Sequence, residues 1–253
     1  MSFTYQIGRA LRLLCGKVRP KTAAVILAGG SGTRMQLREN ITKQLLLVDG
    51  VPVLIRSISA FEASEYIDEI VVVAKAEELT TVEALVLEYG LKKVARIVSG
   101  GDTRQASARR GLEAVSSKMK YIAIHDAARC LVTPAMIADV VSAAYANRAA
   151  SAGRACTDTV KRVTTQGYVS ETLDRETLFF AQTPQVFDVS LYRAAAYMAK
   201  QKEECVTDDN MLVEKLGQAV KMVDCGEENI KITTQTDLYM AEAILRARNE
   251  KSK

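Results

Sequence analysis

The stretch AAVILAGGSGTRM, residues 23–35, runs from an unbroken apolar block into Gly29-Gly30-Ser31-Gly32 and ends on Arg34 and Met35. A continuous apolar run, rather than an alternating one, suits a strand covered on both faces. Three similar runs follow: EIVVVA (69–74), ARIVS (95–99) and YIAIHD (121–126), each succeeded by a helical stretch. Strands alternating with helices predict an α/β fold: a Rossmann-like, mostly parallel sheet with helices on both faces. In such sheets ligands bind beyond the carboxyl ends of the strands. The loop at residues 29–34 is therefore the first place to look for a site.

Two familiar phosphate-binding signatures fail here. A dinucleotide fingerprint needs a third glycine where Met35 stands, and a Walker A loop needs Gly-Lys-Ser/Thr after four spacers. What remains is a glycine-rich turn, Gly29, Gly30, Ser31, Gly32, Thr33, whose amides can approach phosphates closely. Arg34 and Lys43 add two cations, and Lys43 stands beside Gln44.

Two later strand ends carry further candidates. In SGGDTRQASARRGL (99–112), Gly100-Gly101 permits close backbone approach, and Asp102 or Thr103 can cap the next helix. In IHDAARCLVTP (124–134), Asp126 ends a strand where a carboxylate can hold Mg²⁺ with substrate oxygens, and Arg129 can fork onto a phosphate. His125 reads as a packed strand residue. No Gly-x-Ser-x-Gly elbow accompanies it, which argues against acyl transfer.

Other boundaries are legible from caps and turns. Thr133-Pro134 opens a helix. Thr207 is expected to cap another, with Asp208 and Asp209 in its first turn and Gly217 at its end. A last helix is expected from about Thr236 to Arg248. Residues 156–175 break the alternation and read as a β-hairpin arm turning near Gln166-Gly167. An isolated hairpin is marginal in water, so the arm is expected to pack on a second subunit, giving a homodimer.

Composition narrows the function classes. The chain has 253 residues, with 34 Lys and Arg against 30 Asp and Glu. Arg9, Arg12, Lys17 and Arg19 fall in the first twenty residues with no acid among them; the other 30 bases equal the acids in number. The body is thus neutral, and no nucleic-acid partner is expected. No apolar run approaches the roughly 20 residues of a membrane helix, so no membrane association is expected. Five cysteines without a C-x-x-C pair read as reduced thiols and a cytoplasmic protein. The basic opening lacks the long apolar region of a secretory signal; it reads as a short amphipathic helix or a disordered lead, with a transit peptide as the alternative that its lack of acids allows.

In order along the chain come AGGSGTRM, Lys43-Gln44, GGDTRQAS, HDAAR, DTVKRV, TLDRETLFFAQTPQVF, TDD and ENIKITT. Eight motifs in register over residues 22 to about 247 resemble the cytidylyltransferase family of the non-mevalonate isoprenoid pathway. The resemblance implies a single nucleotidyltransferase domain over 22–253, preceded by a basic extension, 1–21. It implies that CTP is joined to 2-C-methyl-D-erythritol 4-phosphate with release of pyrophosphate, with Mg²⁺ or another divalent cation as cofactor. Arg34 and Lys43 match the cations that stabilise the transition state. Ala28, Gly29, Gly30, Gly101, Asp102 and Ser107 match the loops around the cytidine, and Ser31, Gly32 and Thr33 complete the first loop. Asp126 and Arg129 match the site at the sugar phosphate, with Asp126 as the metal candidate. Thr159, Arg175, Thr183 and Lys231 match residues around the polyol phosphate, with Arg175 and Lys231 positioning its phosphate. The arm is implied to reach the partner's site. Cys130, Ala155-Cys156 and Thr234-Gln235 depart from the usual pattern, where prolines are common. The rivals are a ribitol-5-phosphate cytidylyltransferase and, from other classes, a non-catalytic nucleotide-binding module or a dinucleotide oxidoreductase.

Overall fold

A computed structural model describes residues 19–29 and 42–251. Its centre is a seven-stranded sheet. Strand β1 (Thr22–Leu27) is followed by the two-residue strands β2 (Leu47–Val48) and β3 (Val51–Pro52), then β4 (Glu69–Ala74), β5 (Val94–Ser99), β6 (Tyr121–Asp126), β7 (Ala149–Ala155), β8 (Lys161–Val163), β9 (Val169–Thr172), β10 (Phe179–Asp188) and β11 (Lys221–Asp224). The main sheet has the order β11-β7-β10-β6-β1-β4-β5. All its pairs are parallel except those of β10, which runs antiparallel between β6 and β7. This is the expected α/β architecture, with one reversed strand beside the site.

The helices are α1 (Val53–Glu62), α2 (Leu79–Glu88), α3 (Arg104–Ala114), α4 (Pro134–Asn147), α5 (Val189–Gln201), α6 (Asn210–Glu214) and α7 (Gln235–Lys251). Period-two alternation along β1 divides its side chains between two cores. Ala24 and Ile26 join Leu54, Ile58 and Phe61 of α1 and Ile137 and Val141 of α4 on one face. Ala23, Val25 and Leu27 join Leu112 of α3 and Tyr192 and Ala195 of α5 on the other. Both faces are covered, which is why the apolar runs are continuous. A third, smaller cluster places Cys130 and Leu131 against Ile232, Leu238 and Ala241, locking the start of α7 behind the site.

Thr133 caps α4 as expected, its hydroxyl accepting from the Met136 N–H at 3.2 Å. Thr207 does not cap α6. The helix starts only at Asn210, Thr207 instead donates to the Met211 sulfur, and Asp208 accepts from the Met211 N–H at 3.2 Å. The physical reason is that Asp209 is drawn inward by side-chain partners described below. Gly217 does follow the helix with positive φ (78°). The last helix is longer than expected; the Asp237 carboxylate holds its start by accepting from the Thr233 and Thr234 N–H groups, both at 2.7 Å. Arg19 clasps Asp68 through both guanidinium nitrogens, at 2.7 and 3.0 Å, and ties the end of the basic segment to the body.

The hairpin forms where the turn residues put it. Strands β8 and β9 pair only with each other among the described residues, and Gly167 takes a φ of 86° between them. Both strands are exposed along their length, with Val163, Tyr168 and Val169 open to solvent.

Gly111 decides how closely α3 can approach the sheet. A Cβ there would lie 2.3 Å from Val25 Cγ1 and 3.0 Å from Val73 Cγ2, both on fully buried strand residues. Replacing a helix-interior glycine by alanine ordinarily gains about 1 kcal/mol. Here overpacking, typically about 1–3 kcal/mol, opposes and exceeds that gain. Gly111→Ala is therefore expected to lower the unfolding free energy by about 1 kcal/mol or more in denaturant titrations; a stability equal to or above the parent would show that α3 moves away freely.

Candidate active site

The carboxyl ends of β1, β5 and β6 open at one edge of the sheet. Beyond β1 come Ala28, buried and donating its N–H to Val73 O at 2.7 Å, and Gly29. Gly30, Ser31, Gly32, Thr33 and Arg34 lie outside the described residues. Lys43 is half-buried in the turn leading to β2.

Beyond β5 the chain makes the expected tight turn. Cβ atoms at Gly100 and Gly101 would stand 2.9 Å from Ser107 Oγ and 2.6 Å from Ala106 Cβ, so larger residues do not fit. Ser107 Oγ accepts from the Gly101 N–H at 3.1 Å and is within 3.2 Å of the Gly101 carbonyl. Thr103 supplies the cap, accepting from the Ala106 N–H at 3.0 Å. A Cβ on Gly29 would come within 3.9 Å of Ser107 Oγ, so the first two glycine loops meet at this serine. Asp102 is exposed at the rim.

Beyond β6 lies the electrostatic centre. Asp126 is only 8% exposed. Its Oδ1 accepts from Arg104 Nε at 3.0 Å and its Oδ2 from Lys231 Nζ at 2.6 Å. Burial pushes the carboxyl pKa up, but the two cations outweigh it and hold the group well below the usual carboxylate range. Arg104 also donates from Nη1 to Asp209 Oδ2 at 2.6 Å, and Tyr192 donates its hydroxyl to Asp209 Oδ1 at 2.5 Å. Gln185 fixes this segment from below, its Oε1 accepting from the Asp209 N–H and its Nε2 donating to Asp208. Arg129 differs from its neighbours. Its guanidinium donates to the Asn229 carbonyl at 2.8 Å and more weakly to the Ala181 carbonyl at 3.4 Å. Burial lowers its pKa, partly opposed by Asp126, and Arg104 lowers it further. Carbonyl partners leave a positive charge uncancelled at the mouth of the site.

Thr183 sits inside the wall. It is 4% exposed, and its hydroxyl accepts from the Asp126 N–H at 3.1 Å and lies 3.0 Å from His125 Nδ1. This contact is possible because β10 is irregular between Ala181 and Gln185, where Pro184 has no N–H for the ladder. Thr183 thus touches Asp126 rather than the open side. Asn229 holds the same bulge by donating to the Thr183 carbonyl and to Gln182. Lys231 follows on that loop, half-exposed.

Thr159 and Arg175 lie apart from this cluster. Both are exposed at the root of the arm, where the Arg175 guanidinium donates to the Thr157 carbonyl at 2.8 Å. The structure therefore brings together Ala28, Gly29, Gly101 and Ser107 as one group, and Asp126, Arg129, Thr183 and Lys231 as another. It leaves the arm residues outside both.

The family model described as IspD, 2-C-methyl-D-erythritol 4-phosphate cytidylyltransferase, matches residues 22–247. The chain belongs to this cytidylyltransferase family. The protein of that name from Syntrophus aciditrophicus is 40% identical over 230 residues, 90% of this chain and 97% of that protein. The one from Pelotomaculum thermopropionicum is 44% identical over 233 residues, covering 90% and 95%. Among solved structures, 4-diphosphocytidyl-2C-methyl-D-erythritol synthase from Anaerococcus prevotii superposes with a TM-score of 0.80 at 30% identity, covering 90% of this chain and 96% of that one. The Thermus thermophilus cytidylyltransferase gives 0.72 at 31%, covering 89% and 99%.

Sequence reasoning missed Arg104, Asp209, Gln185, Tyr192 and Asn229. Arg104 stands inside GGDTRQAS, where its sequence context marks only a helix start, and the context of Asp209 marks only a helix dipole. Neither carried a local sign that a partner about a hundred positions away completes it.

The buried imidazole offers a direct check on this wall. His125 is fully buried against Phe61, and desolvation outweighs the nearby Asp126 to take its pKa from 6.5 down to about 3. The unfolded chain then binds a proton below pH 6.5 that the folded chain refuses until about pH 3. His125 stabilisation is therefore complete above that window and is lost as pH falls through it, with a limiting slope of about 1.4 kcal/mol per pH unit. Unfolding free energies of the parent and of His125→Gln, measured from pH 7 to 4, are expected to differ in slope by close to one proton; parallel curves would mean that His125 is protonated in the fold.

Proposed function

We propose that the protein transfers the CMP moiety of CTP to 2-C-methyl-D-erythritol 4-phosphate, releasing pyrophosphate and forming 4-diphosphocytidyl-2-C-methyl-D-erythritol. The observation that supports this most directly is the paired arrangement at one sheet edge. The glycine turns closed by Ser107 suit a flat base and ribose, and the Asp126, Arg129 and Lys231 cluster beside them suits a second anion. In this reading Gly29, Gly101, Asp102 and Ser107 receive the cytidine, with Ala28 and the loop through Thr33 around it. Lys43 and Arg34 are assigned the charge of the triphosphate. Lys231 and Arg175 hold the polyol phosphate, with Thr159 beside it.

The attacking group is already an anion, so no strong base is needed. The barrier to be lowered is repulsion between two phosphate groups, about 4 kcal/mol for unit charges at 4 Å and an effective dielectric of 20. Fixed cations cancel that repulsion and hold the oxygen in line with the α-phosphorus. A neutral, buried His125 is consistent with chemistry that requires no proton relay.

A divalent cation, Mg²⁺, belongs to the same reading. Among the described residues no group of three or more His, Cys, Asp or Glu side chains is placed to cage a metal. Asp126 would be the single protein ligand of an ion that arrives on the triphosphate, and it would have to share with that ion an oxygen that Arg104 or Lys231 already holds. When bound, the ion supplies further charge neutralisation on the phosphates. A cytoplasmic location accords with Cys130, Cys156, Cys205 and Cys225, which are all unpaired, and no helix of the described residues is long and apolar enough to cross a membrane.

The purified protein with CTP and Mg²⁺ is expected to release pyrophosphate with methylerythritol phosphate and to turn over ribitol 5-phosphate at least about a hundredfold less efficiently, on the scale set by unmatched polar contacts. Turnover with ribitol 5-phosphate alone would replace the proposed substrate; release with neither would favour a non-catalytic binding module.

The homodimer rests on the arm. Val163, Tyr168 and Val169 are exposed on a two-stranded sheet too small to be stable alone. Arg175 and Thr159 at its root do not meet the Asp126 cluster of their own chain, which suits delivery to a second copy's site. Replacing residues 161–172 by a short turn is expected to convert a dimer into a monomer on a sizing column. A dimer that survives the deletion would place the main contact elsewhere.

A further inference from the structure

We infer that Arg104 is a positioning residue for the reaction: by bridging Asp126 and Asp209 it fixes the carboxylate from which Lys231 is presented to the polyol phosphate. The inference rests on the proposed reaction for its kinetic part and on the free protein for its structural part.

Arg104 is the first residue of α3, directly after the Thr103 cap. That position lets it join three otherwise separate segments. Nε reaches Asp126 at the end of β6, and Nη1 reaches Asp209, which stands just before α6 and is buried with 1% exposure. Asp126 in turn holds Lys231, which comes from the loop before α7. The chain of contacts therefore runs Tyr192, Asp209, Arg104, Asp126, Lys231, with each carboxylate receiving two donors. A guanidinium suits the central place because its planar fork presents two donors in fixed directions, whereas an ammonium is a single point charge.

Without Arg104, Asp126 would keep Lys231 as its only cation among these contacts. The pair would draw together more tightly, and Lys231 would be less free to turn to a substrate phosphate. With Arg104 in place, Asp126 is neutralised from behind, and Lys231 is held at the open side without being fully occupied. The other half of the pocket does not depend on this link. Ser107 and Thr103 close the Gly100-Gly101 turn through their own hydrogen bonds. The consequence is selective: Arg104 governs the polyol phosphate side and leaves the CTP side largely intact.

Arg104→Gln and the conservative Arg104→Lys separate this from a purely structural role. A lysine can reach one carboxylate but not both. For either folded variant kcat is expected to fall about tenfold or more, and KM for the polyol phosphate to rise by a similar factor, while KM for CTP changes less than about threefold, a split that isolates one subsite. In an Asp126→Asn background the further loss caused by Arg104→Gln is expected to shrink to less than about twofold, since residues acting through one another are not additive. Equal losses in both backgrounds, or equal rises in both KM values, would overturn the inference. The structural part is read in the ligand-free parent by ¹⁵N NMR of arginine side chains. A slowly exchanging Arg104 Nε–H signal is expected that shifts or disappears in Asp126→Asn. A signal indifferent to Asp126 would overturn the clamp even if the enzyme proved active, and an inactive parent with the signal intact would count against the proposed reaction, not against the clamp.

Discussion

Asp126 is the constraint on which the rest of the site depends. An ionised carboxylate with 8% exposure carries a desolvation cost of several kcal/mol. It is tolerable only because Arg104 and Lys231 each donate a charge-assisted bond, while Thr183 fixes the backbone there by accepting from the Asp126 N–H. Leaving such a buried charge with a missing partner typically costs about 3–5 kcal/mol. That penalty couples the start of α3, the end of β6, the bulge of β10 and the loop before α7, none of them neighbours in sequence. Replacing such a network with apolar side chains is often neutral or stabilising in proteins. Its presence at a strand end therefore points to chemistry more than to stability.

The topology explains why the network can exist. Parallel strands β1, β4, β5 and β6 all end at the same edge, so their following loops share one rim. A fully parallel sheet would continue with another helix-covered strand end. Instead β10 enters antiparallel beside β6, and its irregular step at Thr183-Pro184 turns a threonine hydroxyl toward the Asp126 N–H. The same step lets Asn229 brace the Thr183 carbonyl, which carries Lys231 to the open side. His125 closes the wall from within as a neutral ring, hydrogen-bonded to Thr183 without adding charge beside Asp126.

Much of this was legible in the sequence, and the boundary has a physical basis. The apolar runs at 23–28, 69–74 and 121–126 supply strands buried on both faces, whereas the run at 95–99 supplies the edge strand, which is only partly covered. The Thr133-Pro134 cap and the Gly167 turn are local signals that depend on a few adjacent residues. Lys231 and Asp126 were named separately, but their contact joins positions 105 apart, and nothing in either motif specifies it. The Thr207 expectation failed for the same reason. Its local logic was sound, but Arg104 and Tyr192 compete for Asp209 more strongly than a helix end does, since a helix dipole contributes about 0.3–1 kcal/mol at an exposed terminus and a buried charge pair outweighs it.

The uneven treatment of the cations then acquires a meaning. Arg104 is saturated by two carboxylates and Lys231 leans on one, whereas Arg129 donates from Nη1 and Nη2 to carbonyls, which do not cancel its charge, and its buried Nε has no partner among the described residues. Of the three cations around Asp126 and Asp209, Arg129 is the one with no carboxylate bond among the described residues. The cation with the least compensation is the one whose pKa burial has lowered. A site for two phosphate-bearing substrates has to offer positive charge before they arrive yet remain folded without them. Pairing some cations with buried carboxylates and others with neutral carbonyls meets both demands. Only the second kind gains a new counter-charge in full when a phosphate binds, and this makes Arg129 the group that responds most fully to substrate, while the half-exposed Lys231 can turn to it only from its bond to Asp126.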